Sequence, residues 1–96
     1  MTSTLQAFRY HIQGRVQGVG FRYFTLQRAR ALNIRGRVRN DEDGSVTAWA
    51  LGEAEHLAAF QQALAQGPRS SNVLHISITQ LNPDDLRTLV DFTIVR

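Results

Sequence analysis

Over residues 6–14 apolar and polar positions alternate, with Phe8, Tyr10 and Ile12 on one side and Arg9, His11 and Gln13 on the other. That two-residue period predicts a half-buried strand. After a glycine-rich stretch, residues 14–20, the spacing becomes helical: Phe21, Phe24, Thr25, Ala29 and Leu32 share one face, and Asn33 is a natural stop. Alternation returns with Ile34, Gly36, Val38 and Asn40 in one row and Arg35, Arg37 and Arg39 in the other. Asp41-Glu42-Asp43-Gly44 reads as a solvated turn whose Asp-Gly pair supplies a positive backbone angle, and Val46, Ala48 and Ala50 continue the inward row on the returning strand. Keeping both rows on one face requires an odd number of loop residues, which sets Trp49 opposite Arg35 or Arg37 and allows a cation–π contact.

The second half repeats the arrangement. Residues 53–66 carry a helical stripe of Leu57, Phe60 and Leu64, with Glu53 and Glu55 at the N-terminal end and Gly67-Pro68 as the stop. Asn72 to Leu81 is the next strand, with Leu74, Ile76 and Ile78 inward. Asn82-Pro83-Asp84-Asp85 is a turn, and a short last strand over residues 91–96 turns Phe92 and Ile94 inward. The order is βαββαβ plus a terminal strand. The expected fold class is therefore α+β, a ferredoxin-like split βαβ sandwich with two helices on one face of an antiparallel sheet.

A chain of 96 residues with 43% hydrophobic content fits one domain, residues 1–96, with residues 1–4 expected as a flexible tail. No apolar run is long enough to span a membrane, and Met1-Thr2-Ser3-Thr4 lacks the layout of a signal peptide, so a soluble cytoplasmic monomer is expected. Cysteine is absent, which removes disulfides, thiolate nucleophiles and cysteine-based zinc sites. His11, His56 and His75 fall on different elements without the spacing of a metal site or a triad, and no metal or cofactor is expected. The net charge is +3, and all 11 basic residues are Arg. A planar, permanently charged fork favours phosphate and carboxylate partners.

Chemistry concentrates in Gly14-Arg15-Val16-Gln17-Gly18-Val19-Gly20-Phe21-Arg22, between a strand and a helix. Glycines there either turn the chain or point successive N–H groups into a nest for an anion, next to the donors of a helix N-terminus. Arg22 favours the nest, because a cation in the first helical turn opposes the helix dipole unless an anion lies beside it. The spacing lacks the Lys-Ser/Thr ending of a P-loop and the acidic ribose contact of a dinucleotide fold. Asn40 is polar in an apolar row. It either ends the strand or offers its amide to a bound water.

GRVQGVGFR, residues 14–22, resembles the first acylphosphatase signature, and GRVRNDEDGSVTAWALG, residues 36–52, resembles the second. The resemblance implies hydrolysis of an acyl phosphate to a carboxylate and inorganic phosphate by direct water attack, without a metal. By the same resemblance Arg22 binds the phosphate, Asn40 positions the water, and the backbone of Arg15, Val16, Gln17, Gly18, Val19 and Gly20 forms the phosphate loop. Inorganic phosphate is then both product and inhibitor. Arg37 departs from the family, which usually has an aromatic residue after that glycine. The Arg96 carboxylate is expected to pair with Arg22 in the empty enzyme. The rival expectation is a noncatalytic basic module binding phosphate groups or RNA, based on Arg35, Arg37, Arg39 and Trp49. Against it, SVTAWALG lacks an RNP1 pattern, and no nucleic-acid partner is expected.

Overall fold

The structure is a computed structural model and describes residues 5–96; the expected tail, residues 1–4, lies outside the described residues. Strand β1 (Leu5–Arg15) leads into helix α1 (Phe21–Ala31), followed by β2 (Arg35–Asn40), β3 (Val46–Glu53), α2 (Ala54–Gln66), β4 (Asn72–Leu81), a 3-10 turn (Pro83–Leu86) and β5 (Phe92–Ile94). The sheet order is β4-β1-β3-β2-β5. Each βαβ unit is split: β3 lies between β1 and β2, and β1 lies between β3 and β4. The ferredoxin-like α+β arrangement read from the pattern is the one adopted. The terminal strand extends the four antiparallel strands by pairing in parallel with β2, Gly36 opposite Phe92 and Val38 opposite Ile94.

This topology decides where chemistry can gather. Both β1 and β2 run antiparallel to β3, and β5 runs parallel to β2. The C-terminal ends of β1, β2 and β5 therefore lie at one edge of the sheet, and α1 begins there. The other end of α1 is closed by Asn33, which adopts φ 55, a left-handed conformation that Asn tolerates better than most residues.

The main core lies between the sheet and the two helices. Tyr10, Phe60 and Phe92 form its aromatic spine, with ring centroids 5.8 Å apart for Tyr10–Phe60 and 6.0 Å for Phe60–Phe92, both edge-to-face. Phe21, Thr25 and Ala29 are the buried residues of α1, and Leu57, Phe60 and Leu64 those of α2. On the opposite face a smaller cluster joins Ala7, Leu51 and Leu86. The expected turn at residues 82–85 produces it. Asn82 Oδ1 accepts from the Asp84 amide at 3.0 Å and starts a 3-10 turn that lowers Leu86 onto the sheet.

Two inward rows are less buried than the alternation implied. Leu74 is 73% and Ile78 50% exposed, while Ile76 is half-buried. A register shift between Gln13 and Gly14 leaves Leu74 without a partner in β1 and puts Val73 opposite Gly14, packed against the core, whereas Ile78 keeps its parity on an edge strand that α2 covers only in part. Ile94 is 39% exposed, whereas Phe92 is fully buried. It also belongs to an edge strand, beyond the last core residue.

The β2–β3 connection has five residues, Asp41 to Ser45, and the odd count keeps the rows in phase, with Arg37 opposite Trp49. The turn is not merely solvated. Asp41 Oδ1 accepts from Arg39 Nε at 3.0 Å, and its Oδ2 accepts from Thr47 Oγ1 at 2.6 Å and Ser45 Oγ at 2.9 Å. Partial desolvation pushes the Asp41 carboxyl upward, but the bonds from Thr47, Arg39 and Ser45 outweigh it and hold the group below the usual 3.8. Glu42 and Asp43 stay exposed.

Candidate active site

The loop from β1 to α1 is held from below by alternate side chains. Val16 is buried in the core and Val19 packs against it. Gln17 reaches sideways, its Nε2 donating to the carbonyls of Asp41 at 2.7 Å and Ser45 at 2.8 Å. The loop is thus fastened to the β2–β3 turn, next to Asn40. Gly18 and Gly20 take φ 73 and 77, with open space where a Cβ would project. Backbone angle, not crowding, calls for glycine at these two positions.

Gly20 is also the N-cap of α1. It has no side chain to bond the first turn, and that turn holds no acidic residue. Among the described residues, the amides of Gly18, Val19, Gly20, Phe21, Arg22 and Tyr23 donate to no backbone carbonyl. A capping Ser or Asp would satisfy one of these donors and complement the dipole. Here neither a capping side chain nor an acidic residue answers them.

Arg22 is half-buried in this turn, and among the described residues none of the hydrogen bonds or ion pairs involves it. In particular, none of these ion pairs joins it to the Arg96 carboxylate. Asn40 ends β2. Its Oδ1 is buried without a hydrogen-bond partner among the described residues, an arrangement that costs free energy unless a ligand or water supplies the missing donor.

Both residues face one cavity of about 230 Å³, lined by Val16, Gly18, Gly20, Phe21, Arg22, Tyr23, Asn40 and Ile94. Of the residues expected in the site, the fold brings together Arg22, Asn40, Val16, Gly18 and Gly20. Arg15, Gln17 and Val19 do not line the cavity: Arg15 pairs with Asn72 in the β1–β4 ladder, Gln17 bonds the turn, and Val19 faces the core. Sequence reasoning missed Tyr23 and Ile94 as lining residues and missed the part played by the Gln17 side chain. An exposed aromatic beside Arg22 was a usable signal for Tyr23. Ile94 was hidden because it shares the inward parity of Phe92, and Gln17 carries a bond that no local pattern reveals.

A larger space of about 640 Å³ lies between α2 and β4, bordered by Ala58, Gln61, Gln62, Ala65, Val73, Leu74, His75, Ile76 and Ile78. It holds neither a carboxylate nor a guanidinium. On the sheet face opposite the helices, the Arg37 guanidinium stacks on Trp49 at 4.7 Å and that of Arg39 at 5.0 Å. Arg37 thus packs on an aromatic ring of the neighbouring strand, as expected from the register. His11 Nε2 lies 2.8 Å from Ser45 Oγ on the same face. It forms part of the network that ties down the turn.

The acylphosphatase family model matches residues 8–94. An acylphosphatase from Thermotoga petrophila is 39% identical over 90 residues, covering 94% of this chain and 97% of that protein. The crystal structure of acylphosphatase from Bacillus subtilis superposes with a TM-score of 0.89 at 37% identity, over 95% of this chain and 99% of that one. A full-length HypF structure, described as the phosphate- and nucleotide-bound form, matches with a TM-score of 0.89 at 29% identity, over 100% of this chain but 12% of HypF. A match through both sequence motifs and both βαβ units, sustained over nearly the full length of the standalone relatives, establishes that the chain belongs to the acylphosphatase family.

Proposed function

We propose that the cavity at the start of α1 hydrolyses the carboxyl–phosphate bond of acyl phosphates, with Arg22 and the loop amides holding the phosphoryl group and Asn40 placing the attacking water. The observation that carries the reading is the shared cavity, where unpartnered amides and an unpaired guanidinium face the orphaned Asn40 Oδ1. Amides and guanidinium spread positive charge over the equatorial oxygens, where negative charge accumulates in the transition state. Asn40 Oδ1 accepts a hydrogen bond from the water and so directs its lone pair at phosphorus.

In the proposed step the water oxygen bonds to phosphorus as the phosphorus–oxygen bond to the acyl group breaks. The bonding pair leaves on the carboxylate, and a water proton passes to a phosphoryl oxygen. The products are a carboxylate and protonated inorganic phosphate. Carboxylic acids ionise near pH 4, so the leaving group departs without a general acid. That economy supports a metal-independent reaction. Inorganic phosphate occupies the same cradle and inhibits competitively.

Hydrolysis of acetyl phosphate and benzoyl phosphate at neutral pH in EDTA tests this. Wild type is expected to turn over. Arg22→Ala loses phosphate binding and activity together, and Asn40→Ala retains phosphate binding while kcat falls by roughly 10²- to 10³-fold. Unimpaired turnover by either variant, or dependence of wild type on added divalent metal, overturns the corresponding assignment.

A further inference from the structure

The proposed reaction explains the polar end of the cavity but leaves its apolar wall without a task. Tyr23 is 61% and Ile94 39% exposed, and both line the cavity that holds Arg22 and Asn40. Exposed apolar groups are ordinary when scattered. These two, from α1 and β5, border one opening. Buried Val16 and Phe21 continue the apolar surface inward, and Arg22 is the one charged residue of the lining.

Size points the same way. With about 30 Å³ as each molecule's share of liquid water, a cavity of about 230 Å³ matches roughly eight waters. That exceeds the need of a phosphoryl group and one attacking water. Tyr23 and Ile94 line the same cavity as Arg22 and Asn40, within reach of an acyl group whose phosphate is seated on the amides.

Resting on the reaction proposed above, we propose that Tyr23 and Ile94 form an acyl subsite that selects uncharged, apolar acyl phosphates, aromatic ones in particular. The acyl carbon skeleton lies against the Tyr23 ring and the Ile94 side chain, with the carbonyl end directed to the phosphoryl cradle. An acyl group bearing a second anionic group finds no further cation in the lining to pair with. Arg22 is already committed to the phosphate. Tyr23 and Ile94 are specificity residues, since they touch the part of the substrate that does not react.

The test compares benzoyl phosphate, which fills the subsite with a ring, with acetyl phosphate, which offers only a methyl group. Wild type, Tyr23→Ala, Ile94→Ala and Tyr23→Phe are assayed for KM and kcat on both substrates and for inhibition by inorganic phosphate, which has no acyl part. For Tyr23→Ala the benzoyl phosphate KM is expected to rise roughly fivefold to tenfold, with a smaller rise for Ile94→Ala. Acetyl phosphate KM and the phosphate inhibition constant change less than about twofold, and Tyr23→Phe behaves as wild type. Equal losses on both substrates, an unchanged benzoyl phosphate KM or a weakened phosphate inhibition each overturn the subsite. Failure of wild type to hydrolyse either substrate overturns the reaction itself. Normal wild-type turnover with no discrimination lost in Tyr23→Ala overturns the subsite alone.

Discussion

Gln17 connects the two halves of the site through one amide group. Its Nε2 donates to the carbonyls of Asp41 and Ser45 at 2.7 and 2.8 Å, so the loop that presents the amides and the strand end that presents Asn40 move as one body. Positioning of this kind matters because a displacement of about 1 Å can cost roughly 100-fold in rate. Gln17→Met keeps the side-chain length and removes both donors. We expect kcat/KM to fall about tenfold or more, and stability to fall by only about 1 kcal/mol because each freed carbonyl keeps a backbone donor, Gly44 N–H to Asp41 O and Asp41 N–H to Ser45 O. Steady-state kinetics alongside a urea titration separates the two, and a stability loss without a kinetic one shows Gln17 to be a structural tie only. Gly20 offers a second residue-level check. It sits at φ 77 in open space, so Gly20→Ala introduces no collision and is expected to lose about 1 kcal/mol through the left-handed backbone alone, measured by chemical denaturation.

Periodicity made the elements legible because each strand and helix has a face that must be buried. Tyr10 and Ile12, Val38, and Leu57 with Phe60 and Leu64 are all where their spacing put them. Periodicity assigns a face, however, and not the cover on that face. Leu74 falls at a register shift that puts Val73 in the core row instead, and Ile78 keeps its parity on an edge strand that α2 reaches incompletely. The same limit hid Ile94. In the candidate site, the loop and Arg22 were readable because an uncapped helix start with a cation in its first turn is chemically odd. Asn40 was ambiguous until the fold showed its Oδ1 buried without a partner. The contrast between parity and cover is measurable: Leu74→Lys, at a residue 73% exposed, should change stability by less than about 0.5 kcal/mol. Phe60→Ala, at the fully buried centre of the aromatic spine, should cost about 3–5 kcal/mol. Similar urea midpoints for the two variants would contradict the assigned core.

The whole molecule has opposite titration limits set on opposite faces of its sheet. On the face opposite the helices, Asp41 is held below the usual carboxylate value of 3.8 by bonds from Thr47, Arg39 and Ser45. A folded pKa below the unfolded one means this stabilisation is complete above about pH 4 and drains away as pH falls through the lower folded value. On the helix-covered face, Tyr10 has no solvent exposure, and its hydroxyl accepts from Gln61 Nε2 at 3.3 Å. Burial pushes its ionisation up from 10.0 to about 12, only partly opposed by Gln61. Here the folded value exceeds the unfolded one, so stability is intact below pH 10 and declines as pH rises toward 12, because the unfolded chain releases the proton first. A two-unit difference corresponds to a loss on the order of 2–3 kcal/mol across that window. Tyr10→Phe should therefore be less stable near neutrality by about 1 kcal/mol, through loss of the Gln61 bond, yet flatter in the alkaline limb. Urea midpoints measured from pH 9 to 12 decide the matter: the wild-type loss exceeds the variant's initial deficit, so the two curves should meet and then cross as pH rises, and parallel curves would show that Tyr10 is not the group that sets the alkaline limit.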